Sequence, residues 1–219
     1  MKLRYAILMG VTLFASVAFS QQEEASKVDL YAEYSYLRFN PTLEGLPSRN
    51  FNGGGGGATF FFNNHFGVKG ELMGYGSTTW TETFPAQLVV TPHGTTETVP
   101  AGTFSSSANM FTYQFGPVVR IPMHSVTIFG ETLFGGSHTN GYANFERAID
   151  AGGGTLSITG SQHPFSMAVG GGLDVHVSKS FAIRVGEFDY FLTRYTNPIT
   201  STNNQNNFRY LAGVIFQFH

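Results

Sequence analysis

The stretch Phe208-Arg-Tyr-Leu-Ala-Gly-Val-Ile-Phe-Gln-Phe218 decides how the chain is read. In an extended backbone, successive side chains point to opposite faces. Phe208, Tyr210, Ala212, Val214, Phe216 and Phe218 then share one face, opposed by Arg209 and Gln217. Such alternation marks a strand with one apolar and one polar side. The same period recurs over Val28 to Phe39, Phe51 to Phe62, Phe66 to Tyr75, Ser106 to Arg120, Val126 to Ser137, Phe165 to Val177 and Phe181 to Tyr190, which makes eight segments. In the first, Val28, Leu30, Ala32, Tyr34 and Tyr36 oppose Asp29, Tyr31, Glu33 and Ser35. In the third, Phe66, Val68 and Leu72 oppose Lys69, Glu71, Met73 and Tyr75.

The connections alternate in length. Asn63 to His65, Ile121 to Ser125 and Ser178 to Ser180 are short. Pro41 to Asn50, Gly76 to Ser105, His138 to Pro164 and Phe191 to Asn207 are long and rich in Thr, Ser, Asn, Gly and Pro. Loops sorted this way put every long connection at one end of a meander. The expected fold is all-β: an eight-stranded antiparallel up-and-down barrel.

Composition narrows the class. The 219 residues carry 12 Lys+Arg and 14 Asp+Glu, a net charge of −2. Charged residues are only 12%, and glycine (27), phenylalanine (22) and tyrosine (10) are abundant. That excludes a disordered chain, and the missing basic surplus excludes nucleic acid as a partner. The absence of cysteine excludes disulfides, thiolate metal sites and a thiol nucleophile. Lys2 and Arg4, the apolar run Ala6 to Phe19, and Ala18-Phe19-Ser20 before Gln21 have the pattern of a secretory signal peptide over residues 1–20. Residues 21–219 then form one barrel domain, and with no later apolar run long enough for a spanning helix, it can cross a membrane only with strands.

A soluble barrel hides its apolar face, and a membrane barrel inverts this. Phe66, Phe165, Phe181, Phe216 and Phe218 are read near the short-turn end, and Tyr34, Tyr36, Phe208 and Tyr210 near the long-loop end, as two aromatic girdles. Glycines such as Gly53 to Gly57, Gly70 and Gly170 to Gly172 suit a bore just wide enough for side chains. With these features the chain resembles the small eight-stranded outer-membrane barrels, the OmpA transmembrane-domain-like and opacity-protein-like group. The resemblance is carried by Phe208 to Phe218 and by Phe181-Ala-Ile-Arg184 through Asp189-Tyr190. It implies a transmembrane β-barrel in the outer membrane of a Gram-negative-type bacterium, surrounded by lipid and lipopolysaccharide. It also implies recognition of the C-terminal strand by the barrel-assembly machinery, although here His219 follows the final aromatic.

Charges on the inward face must pair in a narrow lumen. Glu33, Glu71 and Glu131 are expected at similar heights, with Lys69, Asp174 and Arg184 slightly lower. The six are expected to form a structural ion-pair network with Lys69 and Arg184 as hubs. The alternative is a selectivity ring in a small pore. Pro117 cannot donate a ladder bond, so a bulge or an early strand end is expected there. Glu187 and Asp189 fall on the same face as Val185, so either a bulge reverses the face or both lie above the hydrocarbon.

Trp80, Phe84 and Leu88 in the second long loop are candidates for surface interaction, unless that loop merely extends its two strands as a hairpin. Ser137-His138 at the end of the fifth segment invites comparison with a rim hydrolase, and His138 and His163 are placed to approach each other across one loop's base. Neither pattern has catalytic or metal-ligand spacing, so no catalytic residue, metal or cofactor is expected. The reading is a non-enzymatic integral barrel with a structural envelope role or an adhesive role exercised through its long loops. The alternatives are a small pore or transporter of hydrophobic molecules, or a rim lipid A-modifying hydrolase.

Overall fold

Eight strands pair edge to edge until the first meets the last. In the computed structural model, which describes residues 25–40, 48–90, 96–153, 163–194 and 204–219, the strands are β1 (Val28–Phe39), β2 (Arg49–Phe61), β3 (Phe66–Phe84), β4 (Gln87–Val90), β5 (Thr96–Val99), β6 (Gly102–Pro122), β7 (Val126–Thr139), β8 (Phe165–Ser178), β9 (Phe181–Arg194) and β10 (Asn204–Phe218), with one helix, α1 (Gly141–Ala151). The barrel order is β1-β10-β9-β8-β7-β6-β3-β2, and β4-β5 form a separate hairpin. Every neighbouring pair is antiparallel; β10 closes onto β1 from Val28↔Phe218 to Arg38↔Phe208. The signal-peptide reading of residues 1–20 lies outside the described residues. Among the described residues no helix is long and apolar enough to cross a membrane.

The alternation read from the sequence sorts the side chains as a membrane barrel requires. Phe115 is 70% exposed and Phe62 66%, and Phe66, Leu72, Val185, Phe188 and Phe216 are likewise exposed on the outer wall. Asp29, Glu33, Lys69, Glu131, Arg184 and Arg209 are buried in the bore. Exposed apolar surface on this scale cannot face water without association. The short-turn end carries edge-to-face pairs, Phe60 with Phe62 at 5.5 Å and Phe181 with Phe216 at 5.6 Å. At the long-loop end the hydroxyls of Tyr34 and Tyr190 donate to Asn52 Oδ1 and Asn206 Oδ1 at 2.5 and 2.6 Å. Phe165 belongs with this second girdle, against the sequence reading: it opens β8 after a long loop and pairs with Arg194 and Gly136.

Glycine makes room for crossing side chains. Tyr31 on β1 passes over Gly57 on β2, and its hydroxyl donates to the Gly70 carbonyl on β3 at 3.0 Å. A Cβ at Gly57 would collide with that hydroxyl and with the same carbonyl. On β8, a Cβ at Gly170 would occupy the place of the Asp189 carboxylate.

Two irregularities resolve questions the periodicity left open. Pro117 neither ends nor bulges its strand: β6 continues to Pro122, and Pro117 stays in register opposite Val68. Toward β7 the ladder skips Gly116 and Pro117 and resumes at Val118↔Glu131 without a shift. The missing N–H therefore removes ladder bonding locally and nothing more. The bulge lies in β9. Leu211 pairs with Glu187 while Gly213 pairs with Arg184, and on the other side Leu173 pairs with Gly186 while Asp174 pairs with Arg184. One extra residue at Val185-Gly186 reverses the facing. Arg184, Glu187 and Asp189 consequently all point inward and are buried. The carbonyl of Val185 accepts the Tyr210 hydroxyl at 3.0 Å, so it is satisfied even at the irregularity.

The long-loop end is more ordered than the loop composition implied. β3 and β6 run past the barrel as a ladder from Thr78↔Ala108 to Phe84↔Gly102, so the second connection extends its strands as a hairpin. Thr81 and Ser105 hydroxyls bond at 2.8 Å and those of Thr83 and Thr103 at 2.9 Å. In the third connection, read as plain loop, α1 packs against β6. Its Ile149 is fully buried, and Asn144 Nδ2 donates to the Ser107 carbonyl.

Deleting Gly186 removes the extra residue and keeps Arg184, Glu187 and Asp189 on the inward parity, because plain alternation then runs Arg184 in, Val185 out, Glu187 in. That variant should still refold to the compact, heat-modifiable form on detergent gels. Deleting Val185 and Gly186 together puts Glu187 and Asp189 on the lipid face, where each carboxylate costs on the order of 1 kcal/mol or more, and should lose that form; a double deletion that refolds like wild type contradicts the bulge's role.

Candidate functional site: the charged lumen

The inward residues of six strands meet in one ionic cluster. Lys69 on β3 places Nζ 3.0 and 2.9 Å from the two oxygens of Glu131 on β7, 3.3 Å from both oxygens of Glu187 on β9, and 3.4 Å from Glu71 Oε2. Arg184 on β9 grips Asp174 on β8 with Nε and Nη2, at 2.8 and 3.1 Å. Its Nη1 donates to Glu33 Oε1 on β1 at 2.7 Å and to Glu187 Oε2 at 2.6 Å. Residues three apart face opposite ways on a regular strand, so this last bond exists only because of the bulge. Arg209 on β10 donates through Nε to Asp189 Oδ2 at 2.8 Å and through Nη1 to Glu71 at very close range. Glu187 thus joins the Lys69 and Arg184 centres, and Glu71 joins Lys69 to Arg209.

Aromatic rings line the cations. The Arg184 guanidinium lies 4.1 Å from the Phe129 ring centroid and Lys69 Nζ lies 4.9 Å from that of Tyr31. Nearer the short turns, Arg120 stacks on Phe61 at 3.3 Å. It donates to the carbonyl and hydroxyl of Ser26 at 2.6 and 3.0 Å and lies 3.6 Å from Asp29. On the long-loop side the bore is filled by an apolar cluster that includes Leu37, Phe51, Met73, Leu133, Phe191 and Leu211. The lumen is therefore packed twice over, by an apolar layer and by an ionic one. Beneath the Arg120 mouth a cavity of about 20 Å³ adjoins the cluster, room for about one water. A wider basin of about 640 Å³ opens at the short-turn end, lined by residues including Met123, His176 and Lys179.

All six charges singled out in the sequence, Glu33, Lys69, Glu71, Glu131, Asp174 and Arg184, meet in this cluster. Three members were left out of that set. Glu187 and Asp189 were hidden by the bulge, whose signal is the Val185-Gly186 pair ahead of two acids of inverted parity. Arg209 was legible by its face, and only its reach to Glu71 and Asp189 was not. The apolar layer also went unread, although Leu37, Leu133 and Leu211 share the inward parity.

Three carboxylates, Glu71, Glu131 and Glu187, bring oxygens within 4.8 Å of one another, the kind of grouping that holds a metal ion. The Lys69 ammonium already sits against all three, so the centre is taken by a resident cation. The Ser137-His138 pair is split by the alternation it lies in. Ser137 is buried in the bore and His138 stands outside, stacked on His163 at 4.6 Å. A hydroxyl and an imidazole on opposite faces of a sheet cannot act as nucleophile and base. Of the loop candidates, Leu88 on β4 is 69% exposed. Trp80 and Phe84 have backbone partners in Ser106 and Gly102, and their side chains lie outside the described residues.

Removing the guanidinium in Arg184→Ala leaves Asp174, Glu33 and Glu187 short of a cation, at a cost of about 3–5 kcal/mol. Denaturant unfolding in detergent should show that loss; a midpoint matching wild type would overturn the ion-pair account.

No protein-family model matches the sequence, and no curated protein is significantly similar to it. Solved structures are similar in fold. Neisserial surface protein A superposes with a TM-score of 0.55 at 12% identity, covering 90% of this chain and 100% of that one. The outer membrane protein OprG from Pseudomonas aeruginosa gives 0.53 at 12% identity, covering 89% and 98%. Ail, the attachment invasion locus protein of Yersinia pestis, gives 0.47 at 16% identity, covering 89% and 99%. With a closed antiparallel ring of eight strands, an apolar outer wall and the superpositions on Neisserial surface protein A and OprG, the chain has the fold of the small eight-stranded outer-membrane β-barrels.

Proposed function

We propose that this chain is a non-enzymatic integral barrel of a Gram-negative-type outer membrane, a rigid anchor whose role is exercised at its long-loop end in envelope structure or adhesion. The observation that carries the reading is the doubly packed lumen. The bore is filled by Leu37, Phe51 and Phe191 on one side and by the Lys69–Arg184–Arg209 cluster on the other, which supports a plugged tube. Transport through the tube is disfavoured on the same ground. The apolar wall between the two girdles is matched to lipid acyl chains, with lipopolysaccharide as the natural neighbour. The C-terminal strand Phe208–Phe218 offers the barrel-assembly machinery its alternating aromatics.

What distinguishes the two ends is elaboration. The short turns are trimmed to a few residues, whereas the long-loop end carries the β3–β6 extension, the β4–β5 hairpin with exposed Leu88, and α1 braced on β6. Ordered backbone held clear of the membrane presents a surface at low entropic cost on binding.

The membrane reading is tested by fractionating cells that express the full chain and reconstituting the purified protein in planar bilayers. The expected results are outer-membrane recovery, heat-modifiable migration and no steady current; a reproducible single-channel conductance would replace the plug with a pore. The loop reading is tested by exchanging residues 85–101 for a tight turn. The barrel should fold unchanged while adherence of expressing cells to a eukaryotic cell monolayer falls to background; equal adherence defeats the adhesive role.

A further inference from the structure

The buried charges do not balance. Among the described residues, the bore buries the acids Asp29, Glu33, Glu71, Glu131, Asp174, Glu187 and Asp189 and the bases Lys69, Arg120, Arg184 and Arg209. Setting aside Arg120 and Asp29, which face each other at the short-turn mouth, six carboxyl groups share three bases. The remaining titratable groups facing the cluster are the phenols of Tyr31 on β1 and Tyr75 on β3. β2 sends in no buried charge, with Arg49 half-buried at its long-loop end. On β8, His176 sits at the short-turn end, bonded to Thr127 and Gln217.

An uncompensated buried carboxylate costs several kcal/mol even after relaxation, so three of them exceed what a marginally stable fold tolerates. The surplus must be met by added positive charge. A metal ion is the wrong answer here. The most favourable carboxylate grouping is occupied by Lys69 Nζ at 2.9–3.4 Å, and the adjoining space of about 20 Å³ admits no hydrated ion. A proton needs no space. Glu33 Oε2 and Asp189 Oδ1 are also buried without a hydrogen-bond partner, so the bases do not saturate the oxygens they serve.

We infer that the lumen is a proton-binding site: the folded barrel holds up to three protons among the surplus carboxyl groups Glu33, Glu131 and Asp189 that the unfolded chain releases at neutral pH. The sign follows from linkage. A native state that binds more protons than the unfolded state loses stability as pH rises, by up to about tenfold in the unfolding equilibrium constant per pH unit for each proton released. Unfolded carboxyls titrate near pH 4 and imidazoles near 6.5, so a loss of stability between pH 7.5 and 9 comes from protons the folded carboxyls release. A ring of fully ionised acids held by excess hydrogen bonding would give the opposite slope or none.

The test is denaturant unfolding of the full chain in detergent micelles from pH 5.5 to 9, with EDTA throughout and a parallel series in magnesium. The comparison is the triple variant Glu33→Gln, Glu131→Gln, Asp189→Asn. That variant leaves one acid for each base, Asp174 for Arg184, Glu187 for Lys69 and Glu71 for Arg209. The expected result is a wild-type midpoint that falls with pH, magnesium without effect, and a flat variant that exceeds wild type at pH 9. If the triple variant does not fold, Glu131→Gln and Asp189→Asn alone should each reduce the wild-type slope. A wild-type midpoint independent of pH, a slope that survives the substitutions, or an alkaline loss repaired by magnesium each overturns the inference, the last in favour of a bound metal cation.

Discussion

Closing eight strands into a tube forces every inward side chain to find its partner across the bore. Beside the ionic cluster there is room for about one water, and the partners on offer are other strands' side chains. The ionic cluster is therefore a condition of closure as much as a feature of the lumen. Arg184 reaches from β9 to β8 and β1, Lys69 from β3 to β7 and β9, and Arg209 from β10 to β3 and β9. Four of these links, β9 to β1, β3 to β7, β3 to β9 and β10 to β3, tie strands that are not neighbours in the sheet, which hydrogen-bond ladders cannot do. The ladder fixes adjacent registers, while the cluster fixes the cross-section.

The bulge at Val185-Gly186 is best understood from that requirement. Strand β9 must supply a base low in the bore and two acids above it, and strict alternation can put Arg184 inside or Glu187 and Asp189 inside, but not both. One extra residue reconciles them. Gly186 at the bulge has no side chain to clash with the Tyr210 ring, whose hydroxyl covers the freed Val185 carbonyl on the outer wall. An irregularity in the backbone is thus the local consequence of a charge arrangement on the other face.

The barrel was legible because its signal is repeated. Eight segments of period two and the sorting of loops by length are redundant, so a one-residue error at any boundary leaves strand number and facing intact. What escaped depends on single residues or on distances along no one strand. The bulge is one residue in β9. The girdle Phe165 joins depends on chain direction, since it opens a strand that enters from a long loop, and its face alone does not carry that. The α1 helix sits in a loop whose Gly/Ser/Asn-rich flanks conceal the Ile149 that anchors it. The cluster's membership was only partly readable because inward parity identifies candidates, whereas pairing depends on how far Arg209 extends toward Glu71.

The two fillings of the lumen differ in what they contribute. The apolar cluster around Leu37, Phe51 and Leu211 would pack with many volume-matched substitutes, because dispersion and burial are indifferent to direction. The ionic cluster is directional: Arg184 satisfies Asp174, Glu33 and Glu187 only in one rotamer and one strand stagger. Replacing buried ion pairs with apolar residues is often neutral or stabilising in other folds, so stability alone does not account for nine charged side chains in so small a bore. Register does. A one-residue slip of β9 against β10 or β8 would leave the apolar layer largely serviceable but would expose Glu187 and Asp189 to lipid and strand Lys69 and Arg209. The acids and bases inside this barrel specify which closed tube forms among several that the greasy outer wall would accept equally well.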